Sequence, residues 1–120
     1  MVMDAVAFAR SRGSHRAPCY NLVATWLRAH EAPSVPTDSA ARRQWIENGS
    51  EAGARWAAAQ IGLEERPPRP GDICLISQHG AEPLLALVAE NGFCVARAFG
   101  KLFVGRAEII VSWGLPCQQS

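Results

Sequence analysis

Gly13-Ser14-His15-Arg16-Ala17-Pro18-Cys19-Tyr20-Asn21-Leu22-Val23-Ala24-Thr25-Trp26-Leu27-Arg28-Ala29-His30-Glu31 holds the key to the chain. A polar loop containing Gly13 and Ser14 ends at Pro18, and Cys19 then opens an amphipathic helix. Leu22, Val23, Trp26 and Leu27 recur at helical spacing and form one apolar face. Pro18 suits the first helical turn, where its missing N–H costs nothing. Cys19 therefore stands near the N-terminus of a helix that must be buried on one side. The helix dipole and free N–H groups there favour a thiolate. A cysteine nucleophile is commonly found in that position, and so is an ordinary buried thiol.

Upstream, Asp4 to Arg10 reads as a short helix. Downstream, Pro33 and Pro36 mark an exposed connection. Thr37 or Asp38 can cap a helix through Trp45 and Ile46 that stops at Asn48-Gly49. Ser50 caps another over Glu51–Gln60, with Ala54, Trp56, Ala57 and Ile61 as core candidates and Gly62 as its end. Glu64 to Pro70 is rich in charge and proline and reads as a rigid connector from helix to sheet.

From Gly71 the period changes. Asp72 to Ser77 is a strand with apolar residues pointing both ways, as in a strand covered on both faces. Leu84 to Ala89 is a second strand. Asn91-Gly92 suits the positive φ angles of a tight hairpin, after which Phe93 to Phe99 pairs back. Gly100 turns the chain into Lys101–Val104, and Ala107–Trp113 is the last strand. Helices followed by an antiparallel meander make one α+β domain, with helices over 1–65, a sheet over 71–113 and a tail over 114–120.

The chain has 120 residues, 48% hydrophobic and 19% charged, which suits a single globular domain. A net charge of +1 gives no basic tract for nucleic acid. No signal peptide and no apolar run of bilayer length are expected. Cys19, Cys74, Cys94 and Cys117 lack paired spacing, and Cys74 and Cys94 lie inside apolar strands, so reduced thiols made in a cytoplasm are expected. There is no CxxC or CxxH pair, and neither a metal nor a cofactor is expected. The four tryptophans, with Phe93, Phe99 and Phe103, read as core or interface anchors. The segment Phe99–Phe103 is the one expected to be partly exposed, on an edge hairpin able to dock a neighbouring chain.

The order of these pieces resembles the NlpC-type branch of the papain-fold cysteine peptidases, and more narrowly a small family encoded among phage tail genes. The resemblance runs from Asp4 to about Trp113. It rests on a short helix and loop leading to Cys19, on a "Pro-x-x-Gly-Asp" lead-in seen as Pro67-Pro68-Arg69-Pro70-Gly71-Asp72-Ile73-Cys74-Leu75, and on the closing Ile110-Val111-Ser112-Trp113. It implies a papain-like fold with Cys19 at the nucleophile position. Active members carry a histidine at the start of the second strand, where this chain has Leu84-Leu85-Ala86-Leu87. The third catalytic group would fall near Cys94-Val95-Ala96-Arg97, which offers no His, Asn or Asp. The residue before the nucleophile, often aspartate, is Pro18.

Three histidines lie elsewhere in the chain. His30 is eleven residues along the helix from Cys19, about 16 Å away, and reads as a helix-end residue. His79, in the flexible Gln78-His79-Gly80 segment, and His15, four residues before Cys19, are the candidates. Asp72 is a conceivable third member, though a turn residue leading into a strand is the more ordinary role. Two functions follow from the resemblance. One is a structural component of the phage tail tip, in the virion after cytoplasmic assembly, contacting other tail proteins through a frame with an incomplete catalytic set. The other is an active peptidase or amidase on cell-wall peptides, with Cys19 as nucleophile. A thiol-carrying or acyl-binding module is a third, weaker reading.

Overall fold

The computed structural model describes residues 5–11, 19–30, 39–98 and 101–115. Among these residues three α-helices precede six strands: α1 Ala5–Ser11, α2 Cys19–Ala29, α3 Ser39–Gln60, β1 Glu64–Glu65, β2 Ile73–Gln78, β3 Ala81–Val88, β4 Phe93–Ala98, β5 Lys101–Arg106 and β6 Ile109–Gly114. All pairings are antiparallel, in the order β1-β6-β2-β3-β4-β5. The expected α+β class is therefore observed, but the sheet is not the simple meander expected: after β5 the chain crosses back and β6 lies between β1 and β2, because its apolar residues pair with the doubly buried β2.

Helix α2 forms because its apolar residues fall on one side. Leu22, Val23, Trp26 and Leu27 are all buried, while Arg28 and Ala29 face solvent. Helix α3 is broken at Gly49, whose φ of 89° and ψ of 172° no helical residue adopts. The break falls at the expected Asn48-Gly49 stop, and buried Ser50 begins the second half. That half ends in a glycine cap. Leu63 N donates to Ala58 O at 3.0 Å and Gly62 N to Ala59 O at 3.3 Å, with Gly62 at φ +77°. Of the four core candidates there, Ala54 and Ile61 are buried, while Trp56 and Ala57 are half-buried.

The two faces of the sheet alternate along each central strand. Ile73, Leu75, Leu85, Leu87, Val95 and Trp113 join the core shared with the helices. Cys74, Ile76, Ala86, Val88, Cys94 and Ala96 form a second buried cluster on the other face. Strand β2 is thus buried on both sides, as its unbroken apolar run implies. Between α2, α3 and the sheet lies one small apolar void of about 30 Å³, lined by Val23, Leu27, Ile73 and Leu85 among others.

Three details differ from the sequence reading. Glu64–Glu65 is not only connector: it pairs with Gly114 and Trp113 as an edge strand. The hairpin after β3 is a three-residue loop closed by Ala89 N donating to Phe93 O, with both Asn91 and Gly92 at positive φ as expected. Phe93, read as a core or interface anchor, is 38% exposed at the sheet margin, whereas the 41% exposure of Phe103 on edge strand β5 agrees with the exposed edge hairpin expected there. Phe99 and the 116–120 tail lie outside the described residues.

Candidate functional site

Trp26 fixes the height at which α2 lies on the sheet. Its ring is fully buried, and its Nε1 donates to the carbonyl of Gly71 at 2.9 Å. Gly71 has φ +93°, where a side chain would be strained, and its own N–H donates to Val88 O at 2.8 Å. Phe8 of α1 packs edge-on against the same indole, with centroids 5.0 Å apart and planes at 80°. His30 closes the helix: its Nδ1 donates to Trp26 O at 2.9 Å, and its ring lies 4.2 Å from the indole centroid. It is the helix-end residue that its spacing implied.

Asp72, next to Gly71, is buried and saturated with donors. Arg66 Nη2 and Nε reach its two oxygens at 2.7 and 3.1 Å, and Arg69 N donates at 3.1 Å. The bidentate geometry makes this the strong form of an ion pair. The hydrogen bond to Asp72 raises the Arg66 pKa further above its already high value. Arg66 also exchanges backbone and side-chain hydrogen bonds with Ser112 of β6. The proline-rich connector is thereby clasped to the residue that leads into β2 and to β6. Asp72 serves that clasp.

Cys19 is the first residue of α2, one turn before Val23; its side chain lies outside the described residues, as does all of His15. His79 sits with Gly80 in the two-residue loop between Gln78 and Ala81, which pair with each other, and it is exposed. The candidates thus occupy the head of a helix and the tip of a hairpin. The strand segment where the resemblance would call for a histidine holds Leu85, Ala86 and Leu87, all buried, with Leu84 half-buried. Val23, Leu27 and Leu85 line the same void, so an aliphatic side chain of β3 faces α2.

Arg97 of β4 is a residue that sequence reading passed over. It is 4% exposed and its Nη2 donates to Ala9 O at 3.0 Å, tying α1 to the sheet across 88 residues. A charged residue at alternate spacing within Cys94-Val95-Ala96-Arg97 was the available signal, since Arg97 shares the inward face of Val95. Cys74 and Cys94 are free, buried thiols, as expected. The hydrogen bond with Cys94 and burial together push the Cys74 pKa well above the ordinary thiol range.

Among the described residues no group of three or more His, Cys, Asp or Glu side chains is placed to hold a metal ion. No helix among them is long and apolar enough to cross a membrane. The chain matches no family model, no curated protein and no solved structure among those compared with it.

Proposed function

We propose that this chain is a binding and structural protein, a component of a phage tail tip, built on a papain-like, NlpC-type frame whose catalytic set is incomplete. The observation that carries the proposal is the buried Leu85 on β3, which packs against α2, in the strand segment where a cysteine hydrolase of that frame would present an imidazole. A thiol nucleophile needs a base within about 3 Å. Strands β3 and β4 contain no His, Asn or Asp.

The placement of His79 also favours this reading. Taking the Trp26–Gly71 hydrogen bond as origin, Cys19 lies seven residues back along α2, about 10 Å, and His79 eight residues on along β2, about 26 Å. Even with helix and strand aligned, the two are about 15 Å out of step along the sheet. The tail assignment itself rests on the resemblance of the Pro67–Leu75 lead-in and the Ile110–Trp113 closing strand.

The runner-up is a hydrolase acting on cell-wall peptides, favoured by one observation, the position of Cys19 as first residue of α2. Incubation of the purified chain with murein separates the two. The structural reading expects no peptide release. Release that Cys19→Ala abolishes would establish the hydrolase. The tail role is tested by mass spectrometry of purified virions from the phage encoding the chain, in which a tail component is present at fixed stoichiometry.

A further inference from the structure

The two edges of the sheet are finished differently. Edge strand β1 is two residues long and is followed by Pro67, Pro68 and Pro70, which cannot donate to a further strand. Edge strand β5 has six residues, Lys101–Arg106, and no proline. All six pair with β4, from Ala98↔Lys101 to Phe93↔Arg106, and among the described residues no other strand pairs with β5. Among the described residues, one side of its backbone ladder is therefore open.

The side chains along this edge are held in place. Phe103 is 41% exposed, yet its ring lies along the strand against Gly105, so close that a Cβ there would stand 3.1 Å from it. The Arg106 guanidinium lies 5.4 Å from the centre of exposed Phe93. Leu102 and Val104 pack into the helix-side core and fix the strand's register. Lys101 and Arg106 mark its two ends, both exposed.

These charges discriminate between occupants. A second copy of β5, added antiparallel so that all six residues pair, would set Lys101 against Arg106 at both ends, and like charges directly opposite repel. A strand with carboxylates at those positions is attracted instead. We infer that β5 is a docking edge for an acidic extended segment of another protein, which adds as an antiparallel seventh strand with carboxylates facing Lys101 and Arg106 and an apolar side chain against Phe103. Main-chain hydrogen bonds supply affinity in such an addition, and the flanking charges supply selection. The inference names partner chemistry for the binding role proposed above and rests on that role, whereas the murein assay scores the scaffold reading whatever happens at β5.

The test uses the whole chain and a fluorescent ten-residue peptide with glutamates flanking four β-branched residues, read by anisotropy and by amide chemical shifts. Binding is expected, with shifts confined to β5 and β4. N-methylation of alternate peptide amides should abolish it. Lys101→Glu with Arg106→Glu should weaken it roughly tenfold and confer preference for a lysine-flanked peptide. That swap of preference shows the variant to be folded. Absence of binding, equal binding of acidic and basic peptides by the unaltered chain, or a concentration-dependent dimer formed through β5 would each overturn the inference.

Discussion

The indole Nε1 of Trp26 donates to the carbonyl oxygen of Gly71 at 2.9 Å, across 45 residues of sequence. One bond thus joins the helix that Cys19 begins to the turn that launches the sheet. Both halves of the domain are set relative to each other at this point, because Phe8 and His30 pack on the same ring. Trp26→Phe keeps an aromatic ring but leaves the Gly71 carbonyl without its buried donor. An unmet buried acceptor costs about 1–3 kcal/mol, and the lost ring volume adds to it. We expect a loss of about 2–4 kcal/mol in urea unfolding with an unchanged m-value.

The Arg66–Asp72 clasp predicts a coupled pair of substitutions. Arg66→Ala leaves the buried Asp72 carboxylate without its ion-pair partner, expected to cost about 3–5 kcal/mol. Gly114→Ala is expected to destabilise the intact protein, since its Cβ would run into the body of the Arg66 guanidinium. With Arg66 already alanine, that collision is gone. The second substitution should then cost far less, and additive losses in a double-mutant cycle would contradict the account.

Arg97 anchors α1 through the Ala9 carbonyl. Replacing it with alanine should release α1 more than it destabilises the sheet. In hydrogen exchange, amides of Val6–Arg10 should lose protection while those of β2 and β3 keep theirs. Equal loss in both regions would show that Arg97 supports the whole core instead. Lysine should rescue poorly, because it lacks the planar fork of donors.

Cys74 and Cys94 should resist thiol reagents in the native state. Both are fully buried, and burial with a mutual hydrogen bond keeps Cys74 protonated through the neutral and alkaline range. Ellman's reagent should reach them only on unfolding. Rapid native reaction at either thiol would mean that this face of the sheet opens.

Much of the architecture was legible because it is written in local periodicity. The Leu22-Val23-Trp26-Leu27 face, the glycine stops at Gly49 and Gly62, and the Asn91-Gly92 turn each reveal an element through backbone or side-chain rules acting within a few residues. What could not be read is non-local. The pairing of Glu64–Glu65 with β6 depends on Arg66 finding Asp72 and Ser112, and the last of these is 46 residues away. The role of Arg97 depends on a partner 88 residues earlier, the Ala9 carbonyl. At the candidate site, the sequence marked Cys19 as the head of a helix and Leu84–Leu87 as a strand. That Leu85 faces α2 required the packing of helix on sheet.

The central claim is that a thiol-hydrolase frame persists with an aliphatic side chain in place of its proton acceptor. The most direct test is the pH dependence of Cys19 alkylation in a Cys117→Ser variant, with Cys74 and Cys94 protected by burial. A thiol without an imidazole partner should lose its reactivity in a single step as the pH falls through the ordinary thiol range. Alkylation that stays fast down to about pH 5, as for a cysteine ion-paired with histidine, and that His79→Ala or His15→Ala removes, would contradict it.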